Sequence, residues 1–245
     1  VPHARRGEDG FVLITAVWLL LLCAAIVAVL MFRGTAASTT AAGEGKLLKE
    51  RLALDAATET VIAELVLKGP MSRWGRIPAR ATVAIGDMRV TVAVTSESGR
   101  LDLNAADLAT IDLALRRLGF NAAERGRFAE ELQGRRDAEL QISSSAEARA
   151  LLATLGPPSD GSCLNDLVTV YSALDEPRRG QMPRRLGEAL KDEPRSEPLE
   201  PGAALRLEAR TDDGSRQLTI IRITGLLQSP YAIVERNIGQ DCGDL

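Results

Sequence analysis

The sequence predicts an α+β protein: a long N-terminal helix packed on an antiparallel sheet, with a helical domain inserted between strands. Three observations predict it. An uncharged apolar run at 11–32 is followed by helical periodicity over 46–67. Two alternating apolar stretches within 81–97 flank Gly86-Asp87, and alternation returns over 204–236. Between these β-rich parts lie three helical patterns, at 105–118, 121–136 and 145–155.

The run at 11–32, FVLITAVWLLLLCAAIVAVLMF, has no charged residue, and Thr15 is its only hydroxyl-bearing side chain. As a helix its 22 residues span about 33 Å, close to the hydrocarbon thickness of a bilayer. The alternative is a secretory signal peptide, whose apolar core is shorter, about 7–15 residues. Arg5 and Arg6 precede the run and favour a cytoplasmic N-terminus, with 33–245 across the membrane. Arg33, Lys46 and Lys49 on the far side make that bias modest.

Residues 34–45 are small and polar. Over 46–67, Leu48, Leu52, Ala56, Ile62 and Val66 fall near one helical face, and Gly69-Pro70 ends the helix. Val83 and Ile85, then Met88, Val90, Val92 and Val94, mark two strands joined by the two-residue turn Gly86-Asp87. Asn104 stands where a helix N-cap is expected. Gly119 separates the first two helices and Gly156-Pro157-Pro158 ends the third. Leu167 to Tyr171 is expected to be extended, 183–191 helical, and 192–202 a charged, proline-rich loop. The close is β: 204–209, a turn at Asp212-Asp213-Gly214, then 217–224 and 231–236. The expected organisation is a short N-terminal stretch at 1–10, a transmembrane helix at 11–32, a helix spine with the first hairpin at 33–103, a helical insertion at 104–191 and sheet-completing strands at 192–245.

Composition narrows the chemistry. A net charge of −3 without a basic stripe, and only eight aromatic residues, argue against a nucleic-acid partner. His3 is the single histidine, which excludes Ser-His-Asp, Cys-His and His-zinc systems from everything after it. Cys23 lies in the apolar run, which leaves Cys163 and Cys242, too few for a four-thiolate zinc site.

Residues 5–20, RRGEDG followed by FVLITAVWLL, combine a short basic leader, a terminal Gly and an unbroken apolar helix beginning at Phe. This resembles the class III signal of type IV pilins and type II secretion pseudopilins. The resemblance implies cleavage between Gly10 and Phe11 by a prepilin peptidase, N-methylation of Phe11, and a pilin-like fold. An uncleaved anchor is the alternative. Most members carry Glu at the fifth mature position, here Thr15, where a carboxylate can pair with a neighbouring subunit's amine. The member that typically lacks it is the K component, at the pseudopilus tip. Two further segments resemble that component. In ESGRLDLNAA, Glu97, Gly99, Arg100, Leu101, Leu103, Asn104 and Ala106 fit its pattern and Asp102 departs from the usual Asn. Thr169 to Ser172 reproduce its T-V-Y-S. In FAEELQGRRDAE, Arg136 and Asp137 match, Arg135 replaces a Trp, and the loop that commonly follows is missing. Pro230-Tyr231-Ala232-Ile233-Val234 resembles the family's closing edge.

The resemblance implies a minor pseudopilin without catalytic machinery or cofactor, in the bacterial inner membrane with its C-terminal domain periplasmic. Its implied partners are other minor pseudopilins, the major pseudopilin, the prepilin peptidase and the inner-membrane secretion platform, with cargo or the outer-membrane channel as further candidates. Cys163 and Cys242 would then share an oxidising compartment, and a disulfide between them is expected, two separate thiols being the alternative. Closing about 80 residues would stabilise by about 4 kcal/mol in the chain-entropy model. Calcium is known in some members. Asp137, Glu139, Asp160 and Asp166 offer oxygen ligands, but solvated surface carboxylates are the favoured reading. Two rival functions remain: a minor pilin of a type IV pilus, and a membrane-tethered periplasmic enzyme using carboxylates.

Overall fold

The computed structural model describes residues 9–156, 164–193, 195–200 and 202–238, and their side chains except at 9–14, 30 and 32–43. The chain divides into two units, Val1–Glu50 and Arg51–Leu245.

One helix, α1 (Asp9–Lys68), occupies most of the first unit and enters the second. In the first unit its described apolar side chains, from Val17 through Met31, are exposed, as are Leu47 and Leu48. Among the described residues no helix is long and apolar enough to cross a membrane. The segment expected to do so, 11–32, includes positions 11–14, 30 and 32, whose side chains lie outside the described set.

In the second unit α1 ends where predicted, with Gly69-Pro70 in a 3-10 turn. Its buried face matches the expected one only in part: Ile62 is buried and Val66 packs against the core as expected, but Leu48 is exposed and Ala56 half-buried. Ala53, Leu54, Ala57, Val61, Ile62 and Leu65 are buried, whereas Leu52 is 60% exposed. The 3.6-residue repeat places Leu48 and Leu52 roughly opposite the buried row of Leu54, Ala57 and Val61. Both are apolar, but Ala53 and Ala57 are small and let the helix backbone approach the sheet closely.

The strands follow: β1 (Arg76–Ile77), β2 (Ala79–Ile85), β3 (Met88–Ser96) and β4 (Leu101–Asp102). Then come α2 (Leu108–Arg117), α3 (Ala122–Asp137), α4 (Ser145–Leu152), β5 (Val168–Thr169) and α5 (Arg184–Leu190). The chain closes with β6 (Glu197–Pro198), β7 (Ala204–Thr211), β8 (Arg216–Ile223) and β9 (Tyr231–Ile238). Five strands form one antiparallel sheet in the order β2-β3-β7-β8-β9, so β3 and β7 are neighbours although α2–α5 lie between them in sequence. The fold is thus α+β, as expected. The region 192–202, read as a loop, contributes β6, which pairs antiparallel with β1. The extended segment expected at 167–171 shortens to β5, which pairs parallel with β4.

Local chemistry explains the elements. Gly86 takes φ +59 in the hairpin turn, a left-handed value that costs glycine no Cβ clash. Asn121 and Glu124 form a reciprocal capping box at the start of α3, with bonds of 3.0 and 2.9 Å. Ser144 accepts from the Glu147 N–H to open α4.

Two apolar cores result. In one, Val90, Val92 and Val94 of β3 and Leu205 and Leu207 of β7 meet α1 through Leu54 and Val61. Each such side chain contributes about 1.5–3 kcal/mol on burial. Trp74 closes this core, donating to Glu64 at 3.0 Å beneath the Arg73 guanidinium. In the other, Leu101 and Leu103 pack with Ile111, Phe128, Leu151 and Leu186 of the helices. Strand β9 is tied to α1 by charge: Arg236 reaches Asp55 at 3.2 Å and Glu59 at 2.6 Å.

Candidate functional site

Three of the segments that carried the sequence resemblance, around Leu101, Thr169 and Arg136, converge on one place. Leu101 of β4 sits opposite Val168 of β5, and Leu103 N–H donates to Thr169 O at 2.9 Å. LDLN and TVYS thus run side by side. Asp102, the departure from the usual Asn, is buried and accepts at both oxygens. Its Oδ1 takes the Asn104 and Ala105 N–H groups at 2.9 and 3.2 Å. Its Oδ2 takes Ser172 N–H, Ser172 Oγ–H and Ala173 N–H at 3.0, 3.0 and 2.8 Å. Arg136 joins from α3, donating to the Leu103 and Ala106 carbonyls at 2.9 and 2.8 Å. Burial lowers the Arg136 pKa against the pull of Asp102 and Asp107.

Asn104 does not cap a helix. Its Nδ2 donates to Ile142 O and its Oδ1 accepts from Ile142 N–H, both at 2.9 Å. Helix α2 starts later, at Leu108, with Asp107 in the N-cap position and no side-chain cap bond. The amides an Asn104 cap would serve are already taken, Ala106 N–H by Asp102 O at 2.7 Å and Asp107 N–H by Asp175 O at 3.1 Å, so the Asn104 side chain clamps the Ile142 backbone instead.

Beside this knot lies a buried charge cluster. Glu97 is fully buried, and Arg206 Nε donates to its Oε1 at 2.6 Å while Arg100 Nη1 stands 3.5 Å away. Burial opposes the Glu97 charge, but Arg206, Arg100 and the hydrogen bonds of Arg206 and Thr169 outweigh it and hold the pKa below its ordinary value. Arg100 is lowered by burial and by Arg206 to about 10, so it stays protonated at neutral pH. Burial also opposes the Arg206 charge, and Glu97 more than compensates, leaving its pKa raised. Arg100 donates further to Ser96 O at 2.8 Å and Asp166 O at 3.0 Å. Gly99 is required here, because a Cβ would fall 2.0 Å from Gln181 O.

A second carboxylate, Glu235 of β9, accepts from Ser145 N–H at 3.0 Å, from Ser145 Oγ–H at 2.5 Å and from the Tyr171 hydroxyl. Burial opposes its charge, and these donors with Asn237 lower its pKa. Burial and Glu235 together raise the Tyr171 pKa. Sequence reading missed Glu235, Arg206 and the carbonyl clamp of Arg136. Arg206 sits in the alternation LRLEA, which looks the same whether the charged face meets solvent or another part of the chain.

The other predicted positions fall as follows. Gly10 and Phe11 lie in α1. Thr15 is exposed. Cys23 is exposed. Cys163, Cys242 and Asp160 lie outside the described residues. Asp137 accepts from Gln133 at 2.6 Å, and Asp166 stands 3.8 Å from Arg206. Among the described residues no three His, Cys, Asp or Glu side chains are grouped to hold a metal ion. The two best-formed hollows there are of about 10 Å³ each, the scale of one water. The network ties separate segments of the chain to one another through buried side chains. No family model, curated protein or solved structure matches the chain.

Proposed function

We propose that this chain is a minor pseudopilin of the K type, acting at the tip of a type II secretion pseudopilus in its assembly and in protein export. The observation that carries the reading is one continuous helix, Asp9–Lys68, with an exposed apolar stretch and a later half buried on an antiparallel sheet. That division suits a subunit whose helix is held first by the inner membrane and then by neighbouring helices, while a periplasmic domain is built on its far end. In this reading 11–32 is the transmembrane segment, and the prepilin peptidase cuts between Gly10 and Phe11. Thr15 offers no carboxylate to a neighbour's amine, as befits a subunit with none before it. The exposed Leu48 and Leu52 extend the apolar surface open to partner subunits. The helices between β3 and β7 form the inserted domain that widens the tip, and its product is an interface with other minor pseudopilins.

The test is mass spectrometry of the N-terminus of the protein isolated from its host. N-methylated Phe11 is the expected result. An intact leader in cells with an active prepilin peptidase overturns the reading.

A further inference from the structure

Within residues 51–245 the two apolar cores share no buried residue. One belongs to α1 and the sheet. The other belongs to β4, β5 and the helices. Charged side chains bridge them. Strands β7, β8 and β9 are adjacent, and each sends one charged side chain to the start of α4 or to the segment around β5. Arg206 donates to Asn165 O at 3.3 Å. Arg222 donates to Tyr171 O at 2.8 Å. Glu235 accepts from Ser145 and Tyr171. The sheet register puts these on one face. Arg206 pairs with Ile220 and Ile220 with Glu235, and Arg222 stands two residues beyond Ile220 on the same strand. Buried Ile220 sits in that row and belongs to neither core.

From this we infer that the charged row is a latch, and that the helical segment opens from the sheet as one body when the row is broken, with both cores intact. Apolar packing resists separation in proportion to the area it removes from water, whereas a few hydrogen bonds to charged groups fail together once one partner is lost. Cooperative sub-global opening of this kind follows the boundary between separately packed cores. The device gives the protein two arrangements of the same two bodies, latched and released. A partner that binds only the released face would shift the balance toward it.

The test is native-state hydrogen exchange of the full chain in detergent micelles, read by mass spectrometry of peptides, for the unaltered protein and two variants. Arg222→Ala combined with Glu235→Gln removes two of the three charges. Tyr171→Phe removes only a hydroxyl and guards against misfolding of the first. The expected result is that amides in α2, α3 and α4 exchange about 10–100-fold faster in the double variant, and about tenfold faster in Tyr171→Phe. Amides of β3 and β7 keep their rates. Equal acceleration in the strands and the helices would show a single cooperative unit, and unchanged rates everywhere would show that the row does not hold the segment. Either overturns the inference.

Discussion

Replacing Glu97 by Gln removes the carboxylate that contacts both buried guanidiniums, Arg206 and Arg100. Arg206 and Arg100 are each about 4% exposed, and Glu97 is fully buried. After the change Arg206 keeps a bond to Asn165 O and a 3.8 Å approach to Asp166, whose side chain is 61% exposed. That distant, solvated charge compensates weakly. Breaking a buried ion pair by removing one partner costs about 3–5 kcal/mol, because the surviving charge stays desolvated. Such a loss is a large share of a typical stability of about 5–15 kcal/mol. The assay is urea denaturation followed by Trp74 fluorescence in a Trp18→Phe background, since the chain has two tryptophans and Trp74 is buried in the sheet core. Replacing Glu97 and Arg206 together by Leu should recover part of the loss. Acid should mimic the single variant. The folded pKa of Glu97 is lowered, so its contribution is fully present above the unfolded value of about 4.3 and is lost as pH falls through the folded value. A cost below about 1 kcal/mol for Glu97→Gln would refute the claim that this cluster is a working buried ion pair.

Leu54→Ala, in the buried face of α1, is expected to cost about 2–5 kcal/mol in the same denaturation assay, whereas Leu52→Ala should stay within about 0.5 kcal/mol. Equal effects would return the buried face to the one expected from periodicity. Gly99→Ala should destabilise by about 1–3 kcal/mol or more, because its Cβ meets backbone at Gln181 rather than a flexible side chain; an unchanged denaturation midpoint would contradict the close approach. Asn104→Ala should cost about 1–3 kcal/mol through the unpaired Ile142 backbone. Asn104→Asp, which retains only the acceptor, should fall between, and equality with the wild type would point away from a two-way clamp. Cys242→Ser should slow migration on a non-reducing gel relative to the unaltered chain if Cys163 and Cys242 are bridged; identical migration counts against the bridge.

Much of the architecture was legible without coordinates, and the reason lies in short-range chemistry. The hairpin at Gly86-Asp87, the helix stop at Gly69-Pro70 and the helices on either side of Gly119 depend on residues a few positions apart. The extent of 183–191 was likewise visible, with Pro183 before the helix and Lys191 in the left-handed cap after it. The candidate site was half legible. LDLN, TVYS and Arg136 were singled out by resemblance, but nothing in their spacing said that Asp102 would gather Ser172 and Ala173, or that Arg136 would hold the carbonyls of Leu103 and Ala106.

The sequence by itself determined most of the longer helices and strands, because periodicity and turn residues act within one or two turns of chain; the two-residue strands β5 and β6 and the late start of α2 at Leu108 depend on partners elsewhere. It also determined that histidine-based chemistry is missing from everything after His3. Only the tertiary structure decided which of two apolar stripes on α1 is covered, because a single helix carries no record of its neighbour. Only it decided that Asn104 bonds to Ile142 and not to its own helix. Above all, it decided that Arg206 and Glu235 lie under another part of the chain. A charged residue alternating with leucines reads as solvent-facing, and the energy that makes it buried and paired comes from partners distant in sequence.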